Sequence, residues 1–144
     1  MQTITWLSKQ WMETIKTPSV VISIGDPKED LPNFGCDHID VLRVEFDDVD
    51  QDLGPEYVMF DWTMARKILQ FEQRYKDHDI IVHCHAGISR SVAVALRLAI
   101  LTKRILSLEH PCSGATKDFN KWVYRQLFIT HTDLSASGFY KDSN

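Results

Sequence analysis

The stretch Asp79 to Leu101, DIIVHCHAGISRSVAVALRLAIL, changes character twice, and those two changes decide how the chain folds. Ile80, Ile81 and Val82 are apolar on both faces of an extended run, as expected of a strand buried inside a parallel sheet. From Ser91 to Lys103 an almost wholly apolar body predicts a central, buried helix. The segment Cys84 to Arg90 therefore sits at the carboxyl end of a strand and the amino end of a helix. Unpaired backbone N–H groups converge there and the helix dipole adds partial positive charge, so the position suits an anion. Gly87 lets the backbone wrap closely around a small ligand.

The side chains of this loop point the same way. The field that attracts an anion also stabilises a thiolate, so Cys84 is expected to be a nucleophile at neutral pH. Arg90, six positions on, can close the loop and offer two parallel N–H donors to phosphate oxygens, which lysine cannot do. Ser91 places a hydroxyl near the sulfur, suited to easing departure of the thiolate when a phosphocysteine is hydrolysed.

Working outward, Ser19 to Ile24 is a second strand buried on both faces, and Ile39 to Phe46 a more mixed one, expected nearer an edge. A helix is predicted from Gly54-Pro55 onward, with a core stripe of Tyr57, Met64, Ile68, Phe71 and Tyr75. Asp61 falls inside it, in a solvated or capping role. Pro111 to Thr116 reads as a loop, a further helix runs from Asp118 or Phe119 to about Ile129, and a polar tail follows from about residue 132. Strands alternating with helices predict an α/β fold with a mainly parallel central sheet flanked by helices.

The 144 residues, 44% hydrophobic and 25% charged, suit one domain over 1–144. A formal charge of −4 argues against nucleic-acid or membrane partners, and the longest apolar run is interrupted by Arg97. Three cysteines without a CxxC pair favour a reducing compartment, with a cytoplasmic location expected, over a disulfide framework. His83, Cys84 and His85 alternate in direction along a strand and have no partner pair at ligand spacing, so no metal is assigned and no cofactor is implied. Cys36 and Cys112 are read as structural. Trp6, Trp11, Trp62 and Trp122 are read as packing residues.

The string HCHAGISRS, His83 to Ser91, resembles the HCxxGxxR(S/T) signature of the protein tyrosine phosphatase superfamily, in the HCxAGxSRS form of its dual-specificity-like enzymes. Compact bacterial and phage members are most similar. Asn120, Val123, Gln126 and Leu127 resemble the family's later PNxxFxxQL segment, without its proline. The resemblance implies a protein tyrosine phosphatase-like fold and a phosphocysteine intermediate. Cys84 would attack phosphorus, and Arg90 with the amides of His85, Ala86, Gly87, Ile88 and Ser89 would hold the equatorial oxygens. His83 would orient the loop and tune the thiolate. A separate aspartate would protonate the leaving oxygen. Asp47, Asp48, Asp50 and Asp52 are candidates, and aligning the strand Val41 to Phe46 with the family's favours Asp48.

The implied activity is hydrolysis of phosphotyrosine, with phosphoserine and phosphothreonine as further substrates, on a phosphoprotein or phosphopeptide. Oligomeric state is left open. A low-molecular-weight phosphatase or arsenate reductase would carry its loop near the N-terminus. Phosphoinositide phosphatases commonly place lysines in the loop, where this chain has only His85 and Ile88 at the variable positions, so a phosphoinositide or RNA 5'-phosphate is the weaker substrate. A pseudophosphatase that binds phosphoproteins without turnover would usually lack the nucleophile, the arginine or the acid, and all three residue types are here.

Overall fold

A computed structural model describes residues 2–108 and 118–141. In chain order the elements are β1 (Thr3–Ser8), α1 (Lys9–Met12), β2 (Val20–Gly25), β3 (Asp40–Glu45), α2 (Trp62–Arg74), β4 (Ile80–Cys84), α3 (Arg90–Leu101), β5 (Ile105–Leu106) and α4 (Lys121–Ala136). The sheet order is β3-β2-β4-β1-β5 and every pairing is parallel. The strand that leads into the loop thus lies at the centre, Val82 flanked by Ile22 on one side and Trp6 on the other. The mixed strand β3 is at an edge, as its composition predicts.

Because side chains alternate along a strand, each central strand feeds two cores. Ile4, Trp6, Val20, Ile22, Ile24, Ile80 and Val82 pack under α2, α3 and α4 in the main core. Leu7 and Val21 face the other way, with Ile81 partly buried beside them, and meet Met12, Ile15 and Phe34 in a smaller one. The three long helices therefore share one face, and α1 with the segment around Phe34 closes the other. Among the described residues no helix is long and apolar enough to cross a membrane.

Several elements depart from the sequence prediction. α2 starts at Trp62 rather than near Pro55, because Asp61 is its N-cap and accepts from the Met64 amide at 3.0 Å. Residues before it run as loop, so Tyr57 is exposed while Met64, Ile68, Phe71 and Tyr75 do pack on the core. The chain from 132 is no tail: α4 continues to Ala136, Leu134 is buried and Tyr140 packs on the core. The buried stripe Val123, Leu127, Thr130 and Leu134 carries on at helical spacing past Ile129. β1 and the two-residue β5 were not predicted, since β1 (TITWLS) is broken by polar residues. Trp6 and Trp122 pack as expected, but Trp11 and Trp62 are exposed. The loop Pro111 to Thr116 and Cys112 lie outside the described residues.

One buried ion pair ties the helical layer to the sheet's other end. Arg104 Nε donates to Glu72 at 2.9 Å, and its remaining nitrogens donate to the carbonyls of His78 and Tyr75 at 2.5 and 3.0 Å. Both side chains are buried. Glu72→Ala strands a buried cation and is expected to cost about 3–5 kcal/mol in urea unfolding. A loss below about 1 kcal/mol, typical of an exposed pair, would contradict this.

Candidate functional site

The loop from Cys84 to Arg90 is held by the carboxyl ends of the other strands. At the end of β1, the Lys9 amide donates to the His85 carbonyl at 3.1 Å. Gly87 has φ +73°, and a Cβ there would lie 2.6 Å from the Ser8 amide nitrogen. Both its conformation and the close approach to β1 therefore require glycine. Ser89 is the N-cap of α3 but makes no capping bond with its side chain, which donates instead to Asp48 Oδ1 at 2.9 Å.

Cys84 ends β4 with its residue only 2% exposed. Burial alone would suit an inert core cysteine. Its sulfur, however, sits in a polar niche, 3.1 Å from the Ser91 hydroxyl and accepting the Gly87 N–H at 3.3 Å. The Gly87 N–H is aimed at the sulfur, and the Ser91 hydroxyl can donate to it or accept from it.

Arg90 is 5% exposed. Nη1 donates to Asp26 Oδ1 at 2.8 Å and to the Phe46 carbonyl at 2.7 Å, which fixes the plane of the guanidinium. Nε is buried with no hydrogen-bond partner. Such an orphaned donor on a cation is costly in a protein interior.

Asp48 joins the loop. Its Oδ1 accepts from Ser89 Oγ and from Asn120 Nδ2, each at 2.9 Å. Asn120 also donates to the Val49 carbonyl at 3.0 Å and caps α4 by accepting the Val123 amide at 3.0 Å. Asp47 does different work. Its carboxylate accepts the Val58 amide at 2.7 Å and its own amide donates to the Val58 carbonyl at 2.8 Å, closing the 47–58 loop. Asp52 caps a turn at the Gly54 amide, and Asp50 lines a cavity of about 210 Å³ beside Asp48, Ser89 and Asn120.

His83 is buried beneath the loop, with Nε2 2.6 Å from Ser23 Oγ and Nδ1 3.3 Å from the Cys84 carbonyl. Burial pushes its pKa down to about 4, so the ring is neutral at pH 7. On the rim, His85, Ala86 and Ile88 are exposed, and His85 lies 3.4 Å from Glu29, which also meets Lys9 at 3.2 Å. Burial raises the Glu29 carboxyl, but the Asp26 amide, Lys9 and His85 outweigh it and leave a net lowering.

The structure thus brings Cys84, Gly87, Ser89, Arg90, Ser91, His83 and Asp48 to one place, with His85, Ala86 and Ile88 outside them. Asp26 and the Phe46 carbonyl escaped sequence reasoning. One signal was available: both follow strands at their carboxyl ends, where open parallel sheets bind ligands. The role of Asn120, the anchor of Asp48, shows only once α4 is placed. No group of three or more His, Cys, Asp or Glu able to hold a metal occurs among the described residues.

No protein-family model matches the chain, and no curated protein matches it in sequence. Among solved structures, the chain is similar to a mouse protein provisionally assigned as a dual specificity phosphatase and complexed with zinc tungstate. The TM-score is 0.54 at 16% identity, over 94% of this chain and 86% of the mouse one. The fold is therefore that of the dual-specificity-like phosphatases, a mainly parallel five-stranded sheet with flanking helices.

The neutral His83 makes stability depend on pH. Its folded pKa of about 4 lies below the ordinary 6.5, so between those values the unfolded chain binds the extra proton and stability falls as pH falls. The maximum loss is about 3 kcal/mol. His38 and His131 are shifted the same way, so the test compares wild type with His83→Gln in urea unfolding over this window. The variant should lose most of the slope; an unchanged slope would contradict a neutral, buried His83.

Proposed function

We propose that the chain is a phosphomonoesterase that passes a phosphoryl group through Cys84. The observation that carries this reading is Arg90: a buried guanidinium, clamped by Asp26 and the Phe46 carbonyl, with Nε unpartnered in the same loop as a hydrogen-bonded thiol. A tetrahedral dianion answers both groups, since its oxygens can take the free donor while its phosphorus faces the sulfur. The mouse protein of this fold was complexed with tungstate, another tetrahedral oxyanion.

In the first step the Cys84 thiolate attacks phosphorus, the S–P bond forms and the P–O bond to the leaving group breaks. Asp48 gives its proton to the departing oxygen. In the second, a water oxygen attacks phosphorus, Asp48 takes the water proton and the S–P bond breaks. The Ser91 hydroxyl, 3.1 Å from the sulfur, stabilises the returning thiolate. Asn120 and Ser89 hold Asp48 toward the loop for both steps. The substrate class is a phosphoprotein or phosphopeptide carrying phosphotyrosine, with phosphoserine and phosphothreonine as further substrates. An uncharged loop rim, His85 apart, suits a single phosphate better than a multiply phosphorylated lipid or RNA end. Free thiols at Cys36 and Cys84 fit a reducing compartment such as the cytoplasm.

Hydrolysis of p-nitrophenyl phosphate and of a phosphotyrosine peptide, both with chelator present, tests the assignment. Wild type should turn over both. Cys84→Ser should abolish turnover, and Arg90→Lys should lower kcat by about 10²–10³-fold, as for loss of a transition-state donor. Asp48→Asn should lower kcat/KM, which reads the first step, about 10²-fold on the peptide, whose leaving group needs a proton, and much less on the nitrophenyl ester. Asp47→Asn should cost less than Asp48→Asn on the peptide. Retained turnover in Cys84→Ser would overturn the mechanism, and equal losses of kcat/KM for Asp48→Asn on the two substrates would overturn its role as acid.

A further inference from the structure

The underside of the loop carries a chain of polar groups whose members are all assigned by elimination. The Cys84 carbonyl can only accept, so His83 Nδ1, 3.3 Å away, carries the hydrogen. In a neutral ring Nε2 is then bare, and the Ser23 hydroxyl 2.6 Å from it must donate. Ser23 Oγ in turn accepts Arg43 Nη1 at 3.0 Å. The donors therefore run in one direction, from the guanidinium of Arg43 on β3, through Ser23 on β2 and His83 on β4, to the carbonyl of the nucleophile's own residue.

Arg43 is built into this position. Nη2 donates to the Glu29 carbonyl at 2.7 Å and Nε to Glu45 at 3.3 Å, so its plane is fixed from three sides. Gly25, at the end of β2, makes the room: a Cβ there would stand 2.1 Å from Nη2, and its three nearest neighbours are all Arg43 guanidinium atoms. Ser23 is wholly buried, where its hydroxyl would be costly without both partners. The charged groups that bear on His83 are Arg43 from β3, Glu29 from the segment after β2 and Lys9 from α1, and the Phe34 ring meets it edge-on at 6.5 Å.

The geometry points to Arg43 as a positioning residue for Cys84, acting through Ser23 and His83. The inference deepens the proposed function, since it rests on Cys84 being the nucleophile. A peptide unit is planar, so holding the Cys84 carbonyl fixes the plane at the root of the loop, from which the amides around the sulfur are aimed. A guanidinium at the head of the chain polarises each bond after it. Outer groups of this kind commonly set the behaviour of an inner group they never touch.

The test reads the thiolate without needing turnover: the rate of iodoacetamide alkylation at Cys84, followed by mass spectrometry of its peptide across a pH series. Ser23→Ala, Arg43→Gln and Gly25→Ala should each move the pH of half-maximal alkylation upward by about one unit, roughly tenfold less thiolate at a given lower pH. Ser23→Thr, which keeps the hydroxyl, should hold the wild-type profile. In turnover of p-nitrophenyl phosphate, the first three should lose about tenfold in kcat, with a smaller change in KM. Gly25→Ala drives the Arg43 guanidinium from its place and leaves Ser23 and His83 themselves unaltered, so it decides the matter even if Ser23→Ala fails to fold. Wild-type alkylation profiles in folded Gly25→Ala and Arg43→Gln, with only the urea midpoint lowered, would overturn the inference and leave Arg43 as a structural tie. A shifted profile in protein that hydrolyses no phosphate ester would instead overturn the phosphatase reading and keep the relay.

Discussion

Arg90 is the constraint on which the site depends. A guanidinium so thoroughly removed from water must be paired, and here the pairing is incomplete by design of the backbone: Nη1 is taken by Asp26 and the Phe46 carbonyl, and Nε is left with no partner. Holding the cation there requires the ends of β2 and β3 to stand beside the start of α3. That in turn requires β4 to be central in a parallel sheet, so that the loop leaving it is surrounded by neighbouring strand ends.

The same convergence explains the rest of the loop. β1 supplies the backbone against which Gly87 closes, β2 supplies Asp26, β3 leads to Phe46 and Asp48, and β4 supplies Cys84. Asn120, from the start of α4, closes the circle by holding Asp48. On the proposed function this gives each step a fixed partner: a donor for the phosphate oxygens, a hydroxyl for the sulfur and a carboxyl for the leaving oxygen. The three long helices lie on one face and α1 closes the other, while the loop's rim, with His85 and Ile88, stays exposed.

The strand–loop–helix unit was legible because its signals are local. Ile80 to Val82, Gly87 and the apolar body of α3 each constrain the backbone within a few residues. Asp48 was reached only by aligning a strand with the family's, and the structure distinguishes it from Asp47 by contacts with Val58 and Asn120 that no local pattern encodes. Asp26 and the Ser23–Arg43 pair were illegible for the same reason, since their partners lie 64 and 20 positions away. Helix ends failed where chemistry competes: Gly54-Pro55 looks like a helix start, but Asp61 offers the better cap. The extension of α4 past Ile129 depends on Leu134 and Tyr140 finding the core, which composition alone does not show.

The central claim is that phosphorus is transferred to the sulfur of Cys84. Rapid quenching of Asp48→Asn during turnover of p-nitrophenyl phosphate, followed by mass spectrometry of the peptide that carries Cys84, tests it most directly. Loss of the proton carrier slows attack of water more than departure of a good leaving group, so phosphate should accumulate on Cys84 and be absent from Cys84→Ser. Steady turnover with no phosphate on Cys84 at any quench time, together with full activity in Cys84→Ser, would contradict it.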